Sequence, residues 1–310
     1  MSEPMENATR LSSDEVRRYI FESRPVRGQW VHLSEAWRDL RAHTSYSAAV
    51  EQLLGEAVAA SVLLAATLKF RGTLTLQLQG DGAVRLLVAQ CTHDFRVRAV
   101  ARCDDEALAQ LGAAPQFREL VGTAARVTVT IEADEKGSRY QGIVPLSGTT
   151  LAESLEAYFR DSEQLPTRVV LAADAHGIAG LLLQKLPGAA GQDEEALAAA
   201  WDQARAGIAA LRPQELVNTP AEQLLARTFA TEDLRLFRGA PVRFECRCTP
   251  QRVAGVLRSL GAEEIRDLLR EQGSVTVTCE FCQRPYRYDS IDIEALFSEG
   301  PEPNGAPALH

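Results

Sequence analysis

Six cysteines in 310 residues are too few for a disulfide scaffold. Basic charge is also scarce: the net charge is -9, and the segments 1–186, 187–238 and 239–310 each carry -3. No stretch offers the electrostatic footprint that nucleic acid or an anionic membrane surface needs. Only Lys69, Lys136 and Lys185 among the 33 basic residues are lysines, a compositional habit rather than a site. Long apolar runs are missing as well. The longest, Ala57 to Leu68, has 12 residues and closes at Lys69, whereas a membrane span needs about 17 to 25. It predicts a buried helix. Met1 to Arg10 carries charges and no apolar h-region, so no secretory signal is expected and the location is read as cytoplasmic. Thiols stay reduced there, and clustered cysteines point to metal or redox chemistry.

What is present is ordinary globular material, 45% hydrophobic and 24% charged, long enough for about two domains. Residues 1–186 alternate helix and strand patterns. Val26 to Leu33 reads as a strand, Ser34 to His43 as a short helix, and Tyr46 to Lys69 as a long helix apolar nearly all round in its second half, hence a core element. Leu74, Leu76 and Leu78 alternate with polar residues, and Gly80-Asp81-Gly82 turns that strand into Ala83 to Cys91. A second hairpin joins Arg126–Glu132 to Arg139–Val144 around Glu135-Lys136-Gly137. Thr150 and Glu153 have capping-box spacing before a helix to about Arg160. A last strand pair, Arg168–Ala173 and Ile178–Leu186, brackets Asp174-Ala175-His176-Gly177. The expected class is α+β: an N-terminal domain of antiparallel sheet with packed helices, then a helical linker and a small four-cysteine zinc module.

The break at Pro187-Gly188-Ala189-Ala190-Gly191 opens the linker, 187–238. Leu197, Trp201, Ala204, Ile208 and Leu211 recur on one helical face, and Pro213 is expected to end that helix. Thr219-Pro220-Ala221-Glu222 has the form of a capped helix start, with Leu224, Leu225 and Phe229 as its apolar residues. The segment is too thin to form its own core, so it leans on a neighbouring domain or binds something. Its acidity argues against a membrane-surface helix. In the module, 239–297, Thr249-Pro250 opens a helix closed by Gly261, Ala262–Glu271 forms a second, and Val275–Thr278 with Tyr286–Asp289 forms a hairpin before a final helical turn. Residues 298–310 read as a disordered tail.

Cys246-x-Cys248, thirty residues, then Cys279-x-x-Cys282 brings two close thiol pairs together. Four soft ligands fit one Zn2+ in a closed structural site with no open position for substrate. A module of about 60 residues with few large apolar side chains needs such a staple. Thiolates are also the form that oxidants attack. Structural zinc contributes about 10 to 16 kcal/mol of apparent binding free energy, whereas a disulfide closing about four residues contributes roughly 2 kcal/mol. Crossed pairs, closing about 35 residues, would hold the module better, at roughly 4 kcal/mol each. Spacing leaves all three connectivities open.

The four-cysteine pattern after a helical linker resembles the heat-shock protein 33 family of redox-regulated chaperones. The likeness runs from about residue 15 to 295, through Gly55-Glu56-Ala57, Leu64 to Phe70, Leu74 to Gly82 and Tyr140 to Leu146. It implies an ATP-independent holdase, not an enzyme, that uses no nucleotide and is inactive while reduced and zinc-bound. Oxidation would pair Cys246 with Cys248 and Cys279 with Cys282, release the zinc and unfold module and linker. The implied partners are unfolding client proteins and ATP-driven refolding chaperones downstream, with a homodimer in the oxidised form and no nucleic acid or membrane. Candidate client-binding residues are Leu197, Trp201, Ile208, Leu211, Leu224, Leu225 and Phe229.

Cys91 and Cys103 have no partners at ligand spacing and read as buried, inert thiols. His32, His43, His93 and His176 form no i, i+4 pair, Asp104-Asp105-Glu106 reads as a solvated helix start, and Gly80-Asp81-Gly82 lacks the Lys-Ser/Thr of a phosphate loop. Two rivals carry little weight. A zinc-stabilised nucleic-acid-binding module would want a basic face, but 239–297 holds 8 basic and 9 acidic residues. A thiol oxidoreductase would use one Cys-x-x-Cys at a helix N-terminus, whereas Cys279 follows a strand.

Overall fold

Residues 14–133, 139–187 and 194–298 are described by a computed structural model, and they divide into two units between Glu245 and Cys246. The expected N-terminal segment, the turn at 135–137, most of the break at 187–191 and most of the tail lie outside the described residues. In chain order the first unit runs β1 (Glu15–Phe21), β2 (Val26–Leu33), α1 (Glu35–Arg41), α2 (Ala48–Thr67), β3 (Gly72–Gln79), β4 (Val84–Thr92), β5 (Arg96–Cys103), α3 (Asp105–Gln110) and α4 (Phe117–Val121). It continues with β6 (Arg126–Ala133), β7 (Arg139–Pro145), α5 (Leu151–Asp161), β8 (Thr167–Ala173), β9 (Ile178–Lys185), α6 (Glu194–Ala209), α7 (Pro213–Asn218) and α8 (Ala221–Thr228). Three short strands close it, β10 (Leu234–Leu236), β11 (Ala240–Pro241) and β12 (Arg243–Phe244). The second unit holds α9 (Pro250–Leu260), α10 (Ala262–Gln272), β13 (Val275–Thr278), β14 (Pro285–Tyr288) and α11 (Ser290–Ser298).

Two sheets organise the first unit. One has the order β10-β1-β2-β9-β8, with β11 also on β1; the other has the order β12-β5-β4-β3-β6-β7. All pairings are antiparallel except that of β12 with β5. Helix α2 packs on strands of both sheets, which is why its sequence is apolar all round. Its 20 residues lie within the expected Tyr46–Lys69, and it alone among the described residues is long and apolar enough to cross a membrane. Most of it is buried in this core. Leu74, Leu76 and Leu78 of β3 are fully buried in the same cluster, as their alternation requires.

The first sheet is apolar on both faces. Val31, Leu33, Ile178 and Leu182 belong to the α2 cluster, whereas Trp30, Leu181 and Leu183 belong to a second cluster with Ala204, Ile208, Leu216, Leu224 and Phe229 of the segment expected as a linker, which falls within the first unit. Successive side chains on a strand point to opposite faces, so β9 serves both cores. Gly28 lets Tyr19 lie flat across β2: a Cβ there would collide with the Tyr19 ring, whose hydroxyl donates to the Leu182 carbonyl at 3.0 Å.

Two linker expectations need correction. Pro213 does not end α6, which already stops at Ala209; it occupies the first turn of α7, where its missing N-H costs nothing. Thr219 does not cap α8, whose N-cap is Pro220 with no side-chain cap bond; Thr219 is the C-cap of α7. At α5, Thr150 does accept from the Glu153 N-H, but the Glu153 carboxylate turns to the Thr149 backbone instead of completing a box at Thr150. Asp104 caps α3 by accepting from the Ala107 N-H at 3.1 Å.

Candidate metal centre

Cys246 and Cys248 occupy the loop that ends at Thr249, whose hydroxyl caps α9 by accepting from the Arg252 N-H at 3.2 Å. Cys279 and Cys282 lie in the turn between β13 and β14. That turn is closed by the Cys279 N-H donating to the Arg284 carbonyl at 3.0 Å and the Gln283 N-H donating to the Cys279 carbonyl at 2.8 Å. Gln283 takes the left-handed conformation, φ 52°, to bring the chain back. The apolar cluster beneath is small: Leu257, Ile265, Val275, Ile293 and Leu296.

The four Sγ atoms all lie within 4.8 Å of one another. Cys246 and Cys279 are 3.6 Å apart and Cys248 and Cys282 are 3.5 Å apart, contacts that run across the two sequence pairs. A Zn–S bond of about 2.3 Å places the corners of a tetrahedron about 3.8 Å apart. The cluster therefore fits one tetrahedral ion, and these separations are far beyond the roughly 2.05 Å of a disulfide. Four thiol donors suit zinc by softness.

The thiols are not equivalent. Burial works to raise Cys248, but hydrogen bonds from the Tyr286 hydroxyl, at 3.1 Å, and from the other thiols outweigh it and bring it down to about 7. Burial and the neighbouring thiols push Cys282 up to about 12, against the Arg284 N-H, and burial also raises Cys246. Arg284 is held above its ordinary value by its hydrogen bond to Tyr286 and by the charges of Tyr286, Cys248 and Cys282. Tyr286 and Arg284 were missed in the sequence. Their only signal was position, four and two residues after Cys282, which spacing cannot distinguish from ordinary strand and turn residues.

Cys91 is fully buried, and burial drives its thiol far up; Cys103 is half-buried and raised to about 11 by burial and the Asp105 charge. Both are poor nucleophiles, as expected. The candidate client contacts are covered. Ile208, Leu224, Leu225 and Phe229 are buried against the first sheet, Trp201 and Leu211 are partly buried there, and Leu197 is half-buried.

A family model described as Hsp33 protein matches residues 14–289. The chain belongs to the Hsp33 family. Its relatives include the 33 kDa chaperonins of Methylobacillus flagellatus, 40% identical over 287 residues covering 92% of this chain and 95% of that protein. The 33 kDa chaperonin of Pseudomonas aeruginosa is 41% identical over 294 residues, covering 93% and 97%. The solved 33 kDa chaperonin (heat shock protein 33 homolog) of Thermotoga maritima superposes with a TM-score of 0.77, covering 92% of this chain and 98% of that one. At 23% identity that likeness carries the fold alone. Hsp33 is a family of chaperones and not of enzymes, and the chain's clustered cysteines are a candidate metal site within it.

Proposed function

We propose that this protein is a redox-regulated, ATP-independent holdase of the cytoplasm. In the reduced state Cys246, Cys248, Cys279 and Cys282 would hold one Zn2+, which supplies the cross-links that the five-residue apolar cluster cannot replace. The proximity of the four thiols is the observation that carries this reading. Oxidation by a peroxide-class oxidant removes two electrons per disulfide, joins Cys246 to Cys248 and Cys279 to Cys282, and leaves the metal without thiolates. The within-pair assignment is what the resemblance to the family implies. Short loops would give back only about 2 kcal/mol each against the roughly 10 to 16 kcal/mol lost with zinc, whereas crossed pairs would hold the module better, at roughly 4 kcal/mol each.

With the module unfolded, the linker 187–238 would leave the domain 1–186 and expose an apolar surface that includes Ile208, Leu224, Leu225 and Phe229 on one side and Trp30, Leu181 and Leu183 on the other. That surface would grip unfolding clients, favour a homodimer, and release clients to ATP-driven chaperones. The acidic balance supports proteins rather than nucleic acid or membrane as partners. The test follows aggregation of a heat-unfolded client with the protein before and after peroxide at elevated temperature, while zinc, free thiols and disulfide pairs are measured. Suppression should rise as zinc leaves and sequence-neighbour disulfides appear. Equal suppression in both states would sink the mechanism.

A further inference from the structure

The residues just before Cys246 form a strap whose grip on the first unit has its own chemistry. β11 pairs with β1 of one sheet, and two residues later β12 pairs in parallel with β5 of the other. The Arg243 N-H donates to the Phe95 carbonyl at 3.1 Å and the Glu245 N-H to the Val97 carbonyl at 3.0 Å. Between these backbone bonds the side chains alternate. Val242 is buried in the main core, and Phe244 packs against it beside His43, ring centroids 5.6 Å apart, where α1 meets β12. Arg243 and Glu245 face outward into exposed ion pairs with Asp94 and Arg96. Farther along β5 the Tyr46 hydroxyl bonds both the N-H and the carbonyl of Ala101 at 3.1 Å, so a strand lying here is bounded at that end.

We propose that the β5 edge covered by β12 is a client-binding groove. It would accept an extended polypeptide segment of apolar-x-apolar pattern by strand addition once the strap has left. The inference rests on the oxidation-driven unfolding proposed above. When the module unfolds, Cys246 no longer anchors the strap, and β12 is a parallel strand of two residues held by the few backbone bonds of its pairing with β5 and by surface ion pairs of little weight. Its departure leaves two carbonyls without donors and two apolar sockets, at the positions of Val242 and Phe244. An edge of this kind binds main chain irrespective of sequence, and sockets at alternate residues select the apolar pattern. Unfolding proteins supply such segments. The strap itself is the template: Val-Arg-Phe-Glu is what the groove already holds.

The test uses the full-length protein and a fluorescein-labelled peptide of residues 239–245, Gly-Ala-Pro-Val-Arg-Phe-Glu. Binding is read by anisotropy before and after peroxide, with zinc measured in parallel. The peptide should bind the zinc-free oxidised chain and compete with client. N-methylation at Arg243 and Glu245 of the peptide, which removes both donors and keeps the side chains, should weaken it by about tenfold or more. Equal binding of the methylated peptide overturns the proposal. So does absence of binding to an oxidised chain that suppresses aggregation. Peptide that dissociates an oxidised dimer without affecting client suppression also overturns it, since the groove would then belong to a second copy's strap. Should zinc and suppression ignore peroxide, the redox reading fails by itself. The groove is then tested in the reduced, zinc-loaded Arg243→Pro variant, which lacks the donor to Phe95, or in Phe244→Ala if that variant does not fold. Peptide binding there upholds the groove, and its absence rejects it.

Discussion

Phe229→Ala should make the protein a holdase without any oxidant. Phe229 is buried at the end of the linker helices, edge-on to Phe21 with ring centroids 5.1 Å apart and tilted to Tyr19 at 5.9 Å. Truncating a buried Phe costs about 3 to 5 kcal/mol in lost transfer energy and cavity. The α2 side of the first sheet is untouched by this change, so the cost falls on linker docking rather than on the main core. Each 1.4 kcal/mol is tenfold, and the undocked population should rise by about a hundredfold to a few thousandfold. The assay is suppression of client aggregation by the reduced variant, with zinc content confirmed and hydrogen exchange followed in 194–228. Suppression should appear while zinc is retained. Fast exchange throughout 194–228 without any gain in suppression would refute the reasoning, because the surface under the linker would then be free and still not bind.

Three further outcomes are expected. Tyr286→Phe removes the hydroxyl donated to Cys248, so this thiol should rise from about 7, and zinc affinity should fall by about 10- to 100-fold in competition with a chromophoric chelator. Zinc affinity should climb steeply with pH across neutrality, because Cys246 and Cys282 are raised and must each lose a proton on binding; these two protons alone give about a hundredfold per pH unit, a lower bound measurable by the same competition at pH 6.5 and 7.5. Glu56 on α2 is raised by burial, partly offset by its hydrogen bond to Gln52. A carboxyl raised on folding stabilises below its unfolded value and loses that contribution as pH rises through the folded one. Glu56→Gln should therefore raise the urea midpoint at pH 7 and lose that advantage near pH 4.

Strands and turns were legible in the sequence where local chemistry decides them. β2 has the expected bounds, β3 and β4 form the hairpin that Gly80-Asp81-Gly82 announces, and Gly261 and Gly273 end their helices at positive φ. The four thiols are brought together by elements their spacing implies. What was not legible depends on distant partners. β1 and β5 gain their order from neighbours across each sheet, and β10 to β12 are too short to leave a period. Trp30 and Leu183 could be read as buried but not as facing the linker, since the continuous apolar run of β9 announces two covered faces without naming what covers them. Thr219-Pro220 misled because α7 fills the gap before it, and a residue that could cap one helix serves as the end of another.

The two-faced β9 bears on how the protein returns to rest. Ile178 and Leu182 belong to the α2 cluster and not to the cluster that α6 to α8 share, so on the proposed mechanism they would stay packed with the linker undocked, and reduction would not have to rebuild the domain. Besides the module and the strap, α6 to α8 would have to find their places again, on a surface already formed. Helices form in about a microsecond or less, whereas uncatalysed thiol–disulfide exchange takes seconds to hours. On the proposed mechanism the recovery time would then be set by reductant and metal supply more than by helix formation, and the same molecule could pass through many cycles with its α2 core intact.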